Sequence, residues 1–233
     1  MNESGNSDGE DVKAADEGGA IDDTSKPLPD LAAVKVGDII TLGQYEQDNN
    51  PDNGMEDIDW VVLEKQDEKA LLISRYALDA IQYYVSAPEL DRSWEMSNIR
   101  EWLNNTFMGE ALSDSEKDII ICDTVRAEVN PKYPETSPGN DVEDYIFILS
   151  ADQAVKYFST DEERQCEATE YAKAQGVWTD SNYGDNAAWW LRNPGIAAYD
   201  SMDVNLNGSI NYNAHGGEYT TTGVRPAMWV RTQ

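Results

Sequence analysis

Residues 193–222 contain no lysine or arginine, yet hold five asparagines, four glycines, three tyrosines and three threonines. Asparagine and glycine at this density mark turns between short strands. Two apolar pieces bound the stretch, Trp189-Trp190-Leu191-Arg192 and Val224–Val230 (VRPAMWV), and both read as strands. If Leu206-Asn207-Gly208 forms a three-residue hairpin loop with Gly208 left-handed, Val204 faces Ile210 across the pair and the hairpin gains one buried face. A two-residue Asn-Gly turn would set these two residues on opposite faces, so the bulged form is expected. Asn205, Asn211, Tyr212 and Asn213 then project outward or line a loop.

The rest of the chain reads as strands, then helices, then strands. Val36–Tyr45, Asp57–Leu63 and Ala70–Ser74 have the β-branched content of strands, and the loop from Gln47 to Glu56 is rich in Asp, Asn, Pro and Gly. That loop lacks the oxygen-ligand spacing of an EF-hand and reads as a solvated turn. Ser97 caps a run that puts Ile99, Trp102, Leu103 and Phe107 on one helical face. Ser113–Glu116, Ser150–Gln153 and Thr160–Glu163 are helix-start signals of the capping-box type, and a helix near Ala168–Ala174 stops at Gly176. A Pro-rich loop over 130–143 precedes a short strand, Tyr145–Leu149. This order predicts an α+β fold in which the two ends of the chain pair.

Residues 1–30 carry nine acidic side chains against two basic ones, with no aromatic before Tyr45. Such a segment buries too little surface to offset its ordering entropy, so it is expected to be a disordered acidic tail ahead of one domain over 31–233. Its composition is that of a tether on a surface lipoprotein. The first residues lack the basic and apolar regions of a signal peptide. The net charge of −28 repels phosphate backbones and anionic lipid surfaces, and no stretch reaches the ~18 apolar residues of a spanning helix. Nucleic-acid partners and membrane insertion are therefore not expected. Cys122 and Cys166 have no zinc-type spacing and read as half-buried free thiols.

The series Trp189-Trp-Leu-Arg-Asn-Pro-Gly195, Val204-x-x-x-Gly208-x-Ile210 and Gly223-Val-Arg-Pro-Ala227 resembles a widespread bacterial domain of unknown function. Gly43-Gln-Tyr-Glu-Gln47, Asp59-Trp60, Leu71-Leu-Ile-Ser74, Trp94-Glu, Ser97-x-x-Arg100-x-Trp102-Leu-Asn104 and Cys166-Glu-Ala-Thr-Glu-Tyr-Ala172 add to it, over about residues 35–231. Asn193 stands where serine is usual, and Ala168 where proline is more typical. The resemblance implies a C-type-lectin-like fold, shared with formylglycine-generating enzymes and with the variable proteins of diversity-generating retroelements. It implies a ligand surface on the paired strands of Trp189–Val230. In diversified members that surface varies among Asn, Tyr, Asp, Ser, His, Thr, Ala and Ile, a palette that residues 193–222 match.

The same composition suits a binding surface on other grounds. Tyrosine offers rigid contact area, and Asn, Ser and Gly adapt their hydrogen bonds; the plain alternative is that these residues only mark turns in a β-meander. The expected contact set is Ile196, Tyr199, Asp200, Ser201, Asp203, Asn205, Asn211, Tyr212, Asn213, His215, Tyr219 and Thr221. Its expected ligand is a protein or glycan outside the cell. One histidine, no Gly-x-Ser-x-Gly and no singled-out carboxylate pair argue against an enzyme, and no catalytic residue, metal or cofactor is assigned. The Glu-Pro-Asn and Trp-Asn-Asp signatures of calcium-dependent lectins are absent. A spacer in a surface protein and a cryptic hydrolase are the alternatives. Trp60, Trp102, Trp190 and Trp229 are expected in the core, and Arg192 and Arg225 are expected to hold backbone carbonyls or carboxylates.

Overall fold

The structure is a computed structural model that describes residues 26–85 and 93–233. Most of the acidic tail, residues 1–25, lies outside the described residues.

The strands are β1 (Ile39–Tyr45), β2 (Glu56–Lys65), β3 (Lys69–Ser74), β4 (Ile120–Ile121), β5 (Asp123–Val125), β6 (Val142–Asp144), β7 (Ile146–Phe147), β8 (Trp189–Pro194), β9 (Asp200–Val204), β10 (Ile210–Gly216) and β11 (Ala227–Arg231). The helices are all short: α1 (Asn98–Trp102), α2 (Met108–Ala111), α3 (Asp114–Lys117), α4 (Ala151–Tyr157), α5 (Asp161–Arg164) and α6 (Glu170–Gln175). A six-stranded sheet runs in the order β1-β2-β3-β11-β4, with β7 also on β11, and all its pairings are antiparallel. It curls as a half-barrel. A three-stranded antiparallel sheet, β10-β9-β8, carries the C-terminal hairpin.

The sequence locates most of these elements and misplaces some ends. The first strand starts at Ile39, because Gly37 takes φ +90° and its N–H bonds to Val62 O, so Val36–Asp38 form a turn. The last strand starts at Ala227, after Pro226, which has no N–H to donate. Of Tyr145–Leu149 only Ile146–Phe147 pair as a strand, and Tyr145 is exposed. The C-terminal strand pairs with β3 rather than with β1, which stands at the sheet edge.

The capping boxes at Ser113, Ser150 and Thr160 are each complete in both directions. Ser97 accepts from Arg100 N, and the buried Ile99, Leu103 and Phe107 share the face it starts, continuing through a π-helical turn at Leu103–Phe107. Thr169 caps α6, and Gly176 ends it at φ +126°.

The core cluster reaches from Leu31 to Val230. Trp60 and Trp190 are fully buried, their indole N–H groups donating to Leu42 O (2.7 Å) and Ile81 O (3.2 Å). Trp102 and Trp229 are only half-buried, the latter lying under the Lys69 ammonium at 4.3 Å. Both cysteines are free, but neither is half-buried: Cys122 is exposed and Cys166 is buried. No helix among the described residues is long and apolar enough to cross a membrane.

Candidate functional site

The C-terminal hairpin forms in the bulged register. Gly208 takes φ +84°, and Ile210 pairs with Val204, Asn211 with Asp203, His215 with Ser201 and Gly216 with Asp200. Register shifts between Asn211 and His215, where Ala214 sits at φ +76°. Gly217 then passes beneath Tyr84: its N–H bonds to the Tyr84 hydroxyl at 3.1 Å, and a Cβ there would lie 2.3 Å from the ring. Past it, Glu218 O accepts from Gln82 Nε2 at 2.6 Å and Thr221 O from Trp178 N at 3.1 Å.

Three aromatic rings stand in solvent around that turn. Tyr199 and Tyr219 are 58% and 54% exposed, and Trp178, which the sequence reading left out, is 54% exposed. Backbone bonds tie the three together. Gly217 N–H donates to Tyr199 O (3.2 Å), Tyr219 N–H to Gly216 O (3.2 Å), and Trp178 N–H to Thr221 O (3.1 Å). Ile196 and Thr221 are also exposed, and Asp200 is half-buried beside them. The missed tryptophan sits just past α6, a region that no hairpin pattern marks. Its exposure, beside the buried Val177, is a tertiary fact.

Other expected contact residues do different work. Ser201 and Asp203 are fully buried, so they are corrected from contact residues to interior ones. β9 is the central strand of its sheet and is covered on both faces, which overrides the alternation expected of a half-exposed strand. Asp203 accepts from Asn211 Nδ2 at 2.9 Å. Asn205 is committed to its own turn, bonding to Ser209. Tyr212 and Asn213 hold the loop that precedes β6. Lys132 Nζ lies 4.0 Å over the Tyr212 ring, Tyr133 OH donates to Asn213 Oδ1 at 2.7 Å, and Asn130 Nδ2 donates to both Pro194 O and Tyr212 O. The backbone of His215 pairs in β10; its side chain lies outside what the structure describes.

Arg192, one of the two motif arginines expected to hold backbone carbonyls or carboxylates, does so, and its neighbour Asn193 adds further bonds. Arg192, almost fully buried, donates to Arg126 O, Ile148 O and Glu128 Oε1, the last at 2.8 Å. It therefore fixes residues 126–128 and 148 rather than the 193–222 segment itself. Asn193 Nδ2 donates to Glu128 O and Val129 O, while its Oδ1 accepts from Ala151 N at 2.7 Å. These bonds leave the buried amide satisfied. They anchor the strand from which the loop to Tyr199 departs.

Elsewhere, Asp79 is buried against the Tyr45 hydroxyl (2.6 Å) and its carboxyl is pushed up by burial. The Cys166 thiol is likewise raised by burial, the condition of an unreactive thiol. In the loop after β1, Glu46, Asp48 and Glu56 bring carboxylate oxygens within 4.8 Å of one another. They accept from the loop's own amides, Gln47 N, Asp48 N and Asn50 N, as a folded turn does. A cleft of about 830 Å³ lies along β1, between Pro27–Asp30 and Glu110–Ser113.

Fold and site together define a mixed α+β domain built mainly of antiparallel sheet, with an aromatic face at the end of its last hairpin. Residues 67–232 match the family described as a domain of unknown function, DUF6273, and the chain belongs to that family. The stretch from 35 to 66, which carries Gly43–Gln47 and Asp59-Trp60, falls outside the match. No curated protein and no solved structure matches the chain.

Proposed function

We propose that this chain is a non-enzymatic ligand-binding domain of C-type-lectin-like type, held outside the cell, that grips a protein or glycan with its C-terminal hairpin end. The observation that supports this reading is the triad of exposed rings, Tyr199, Tyr219 and Trp178, joined through backbone bonds around Gly217. Exposed aromatic groups set among polar residues on a surface mark interaction sites, and Tyr and Trp dominate the energetic centres of such sites. Here Thr221, Asp200 and Ile196 surround them. The contact set becomes Trp178, Ile196, Tyr199, Asp200, Tyr219 and Thr221, with His215 beside it in the chain. The charge of −28 selects a neutral or basic ligand and steers acidic ones away.

The deciding experiment is a screen of neutral glycans and of cell-surface proteins with the full chain, repeated with Tyr199→Ala, Tyr219→Ala and Trp178→Ala. Exposed positions of this kind shift stability by about 0.5 kcal/mol or less. A partner bound saturably by the parent and lost by at least two of the variants, with melting unchanged, supports the reading. Retained binding in all three variants refutes the face, and the absence of any saturable partner favours a spacer module.

A further inference from the structure

The two arginines of the C-terminal motifs are both buried but differently matched. Arg192 has the Glu128 carboxylate at 2.8 Å. Arg225, 4% exposed, has no acidic partner among the described residues. Its Nε donates to Ser74 O at 2.9 Å, and its guanidinium lies 5.2 Å from the ring centres of both Phe158 and Trp189. Its Nη1 is buried with no hydrogen-bond partner. A guanidinium keeps its charge at every accessible pH, and the two rings offset only part of the cost of burying it.

Arg225 borders a polar pocket of about 360 Å³ whose wall includes Arg75, Gln165, Cys166, Glu167 and Asn186. None of these supplies the missing counter-charge. Arg75 is a second cation, already paired with Asp59 at 3.2 Å. The Cys166 thiol points its hydrogen at the carbonyls of Arg75 and Glu167, and burial keeps it protonated. Glu167 lines the pocket but makes no ion pair with Arg225. Gln165 and Asn186 contribute neutral amides, bonded to each other at 3.1 Å.

We infer that this pocket binds a small organic acid, its carboxylate placed against the Arg225 guanidinium where that group borders the pocket. Arg225 has no ion-pair partner among the described residues, but Glu167 already adds a carboxylate to the wall, so a monoanion suits the pocket better than a phosphate dianion. The amide and carboxylate lining suits a short hydroxy- or amino-acid body rather than an alkyl chain. The pocket shares no lining residue with the aromatic face, so this site stands independently of the proposed function. It also gives a joint role to residues of two separated motifs, Cys166-Glu167 and Arg225.

The test uses the full chain and two probes, acetate and glycolate, titrated against thermal unfolding and by calorimetry at constant ionic strength set with chloride. A chain of this charge has no general affinity for anions, so a saturable rise in Tm with measurable heat is the expected result. Gln165→Glu brings a carboxylate into the pocket wall and is expected to weaken acetate binding about tenfold or more, with the fold retained. Arg225→Met is expected to abolish it, and if that variant does not fold, Gln165→Glu and Arg75→Ala decide. A Tm change that follows ionic strength alone, or acetate binding undiminished in Gln165→Glu, overturns the site. Saturable binding of inorganic phosphate in place of acetate overturns the carboxylate assignment.

Discussion

Gly208→Ala should be among the most damaging single-methyl additions to this protein. The residue sits at φ +84°, where an L side chain costs about 1–2 kcal/mol. The added Cβ would also lie 1.6 Å from Asp161 O and 2.5 Å from Asp161 C. Those are backbone atoms, so no rotamer change relieves the overlap; the hairpin turn and the start of α5 must move apart. That motion pulls Gly208 O away from Arg164 Nε, which it accepts at 2.9 Å in a buried setting. A hydrogen bond to a charged group contributes about 1.5–3 kcal/mol. A loss of about 3–5 kcal/mol follows, and for a domain of this size it lowers Tm by on the order of 10 °C. Urea unfolding followed by circular dichroism measures it. Asn207→Ala is the control: it removes the side-chain acceptor of Ser209 N and Oγ at an exposed turn and should cost about 1 kcal/mol or less. If Gly208→Ala costs no more than Asn207→Ala, the contact between the turn and α5 is not made in the protein.

Arg192→Met leaves Glu128 without its buried partner and strips two backbone carbonyls of a donor, so it should cost about 3–5 kcal/mol by urea melts. Asp79 gives a pH signature of definite sign. Its folded pKa is raised by burial, so its contribution to stability is present below the unfolded value of about 4 and is lost as pH rises through the folded one. Asp79→Asn should therefore gain on the parent chain as pH rises from about 4 to 7 in paired urea titrations; a gain confined to acid pH would contradict the burial of this carboxyl. If the hairpin end is diversified in nature, sequencing the 3′ end of the gene across isolates should find substitutions at exposed positions such as Tyr199, Tyr219 and Thr221. Ser201, Asp203 and Asn193 should stay fixed, and scatter over all of them would remove the retroelement reading.

What the sequence made legible was local. Capping boxes, the left-handed Gly208, the end of α6 at Gly176 and the Val204–Ile210 pairing all rest on rules spanning a few residues, and each appears as expected. What it hid was set by distant chain. Nothing near Ser201 or Asp203 announces that β9 is flanked by strands on both sides. Nothing near Asn213 shows that Tyr133, 80 positions away, will take its carbonyl. Trp178 has the same character: it reads as core material by residue type, and only the course of the chain at 217–222 leaves it outside.

These long-range contacts would let the proposed binding face and a scaffold share one short segment. Along residues 193–222 the interior role is taken by Asn193, Ser201, Met202, Asp203 and Val204, all buried. Asn193 and Asp203 are tied to partners inside the protein. The exposed residues make their defining bonds through the backbone: Tyr199 through its carbonyl, Tyr219 through its amide, Thr221 through its carbonyl to Trp178. A side chain whose position is fixed by its own backbone can be replaced without disturbing the ladder beneath it. Chemical identity at the rim is thus uncoupled from the packing that holds the rim in place, a physical condition for a surface whose specificity changes while its fold does not.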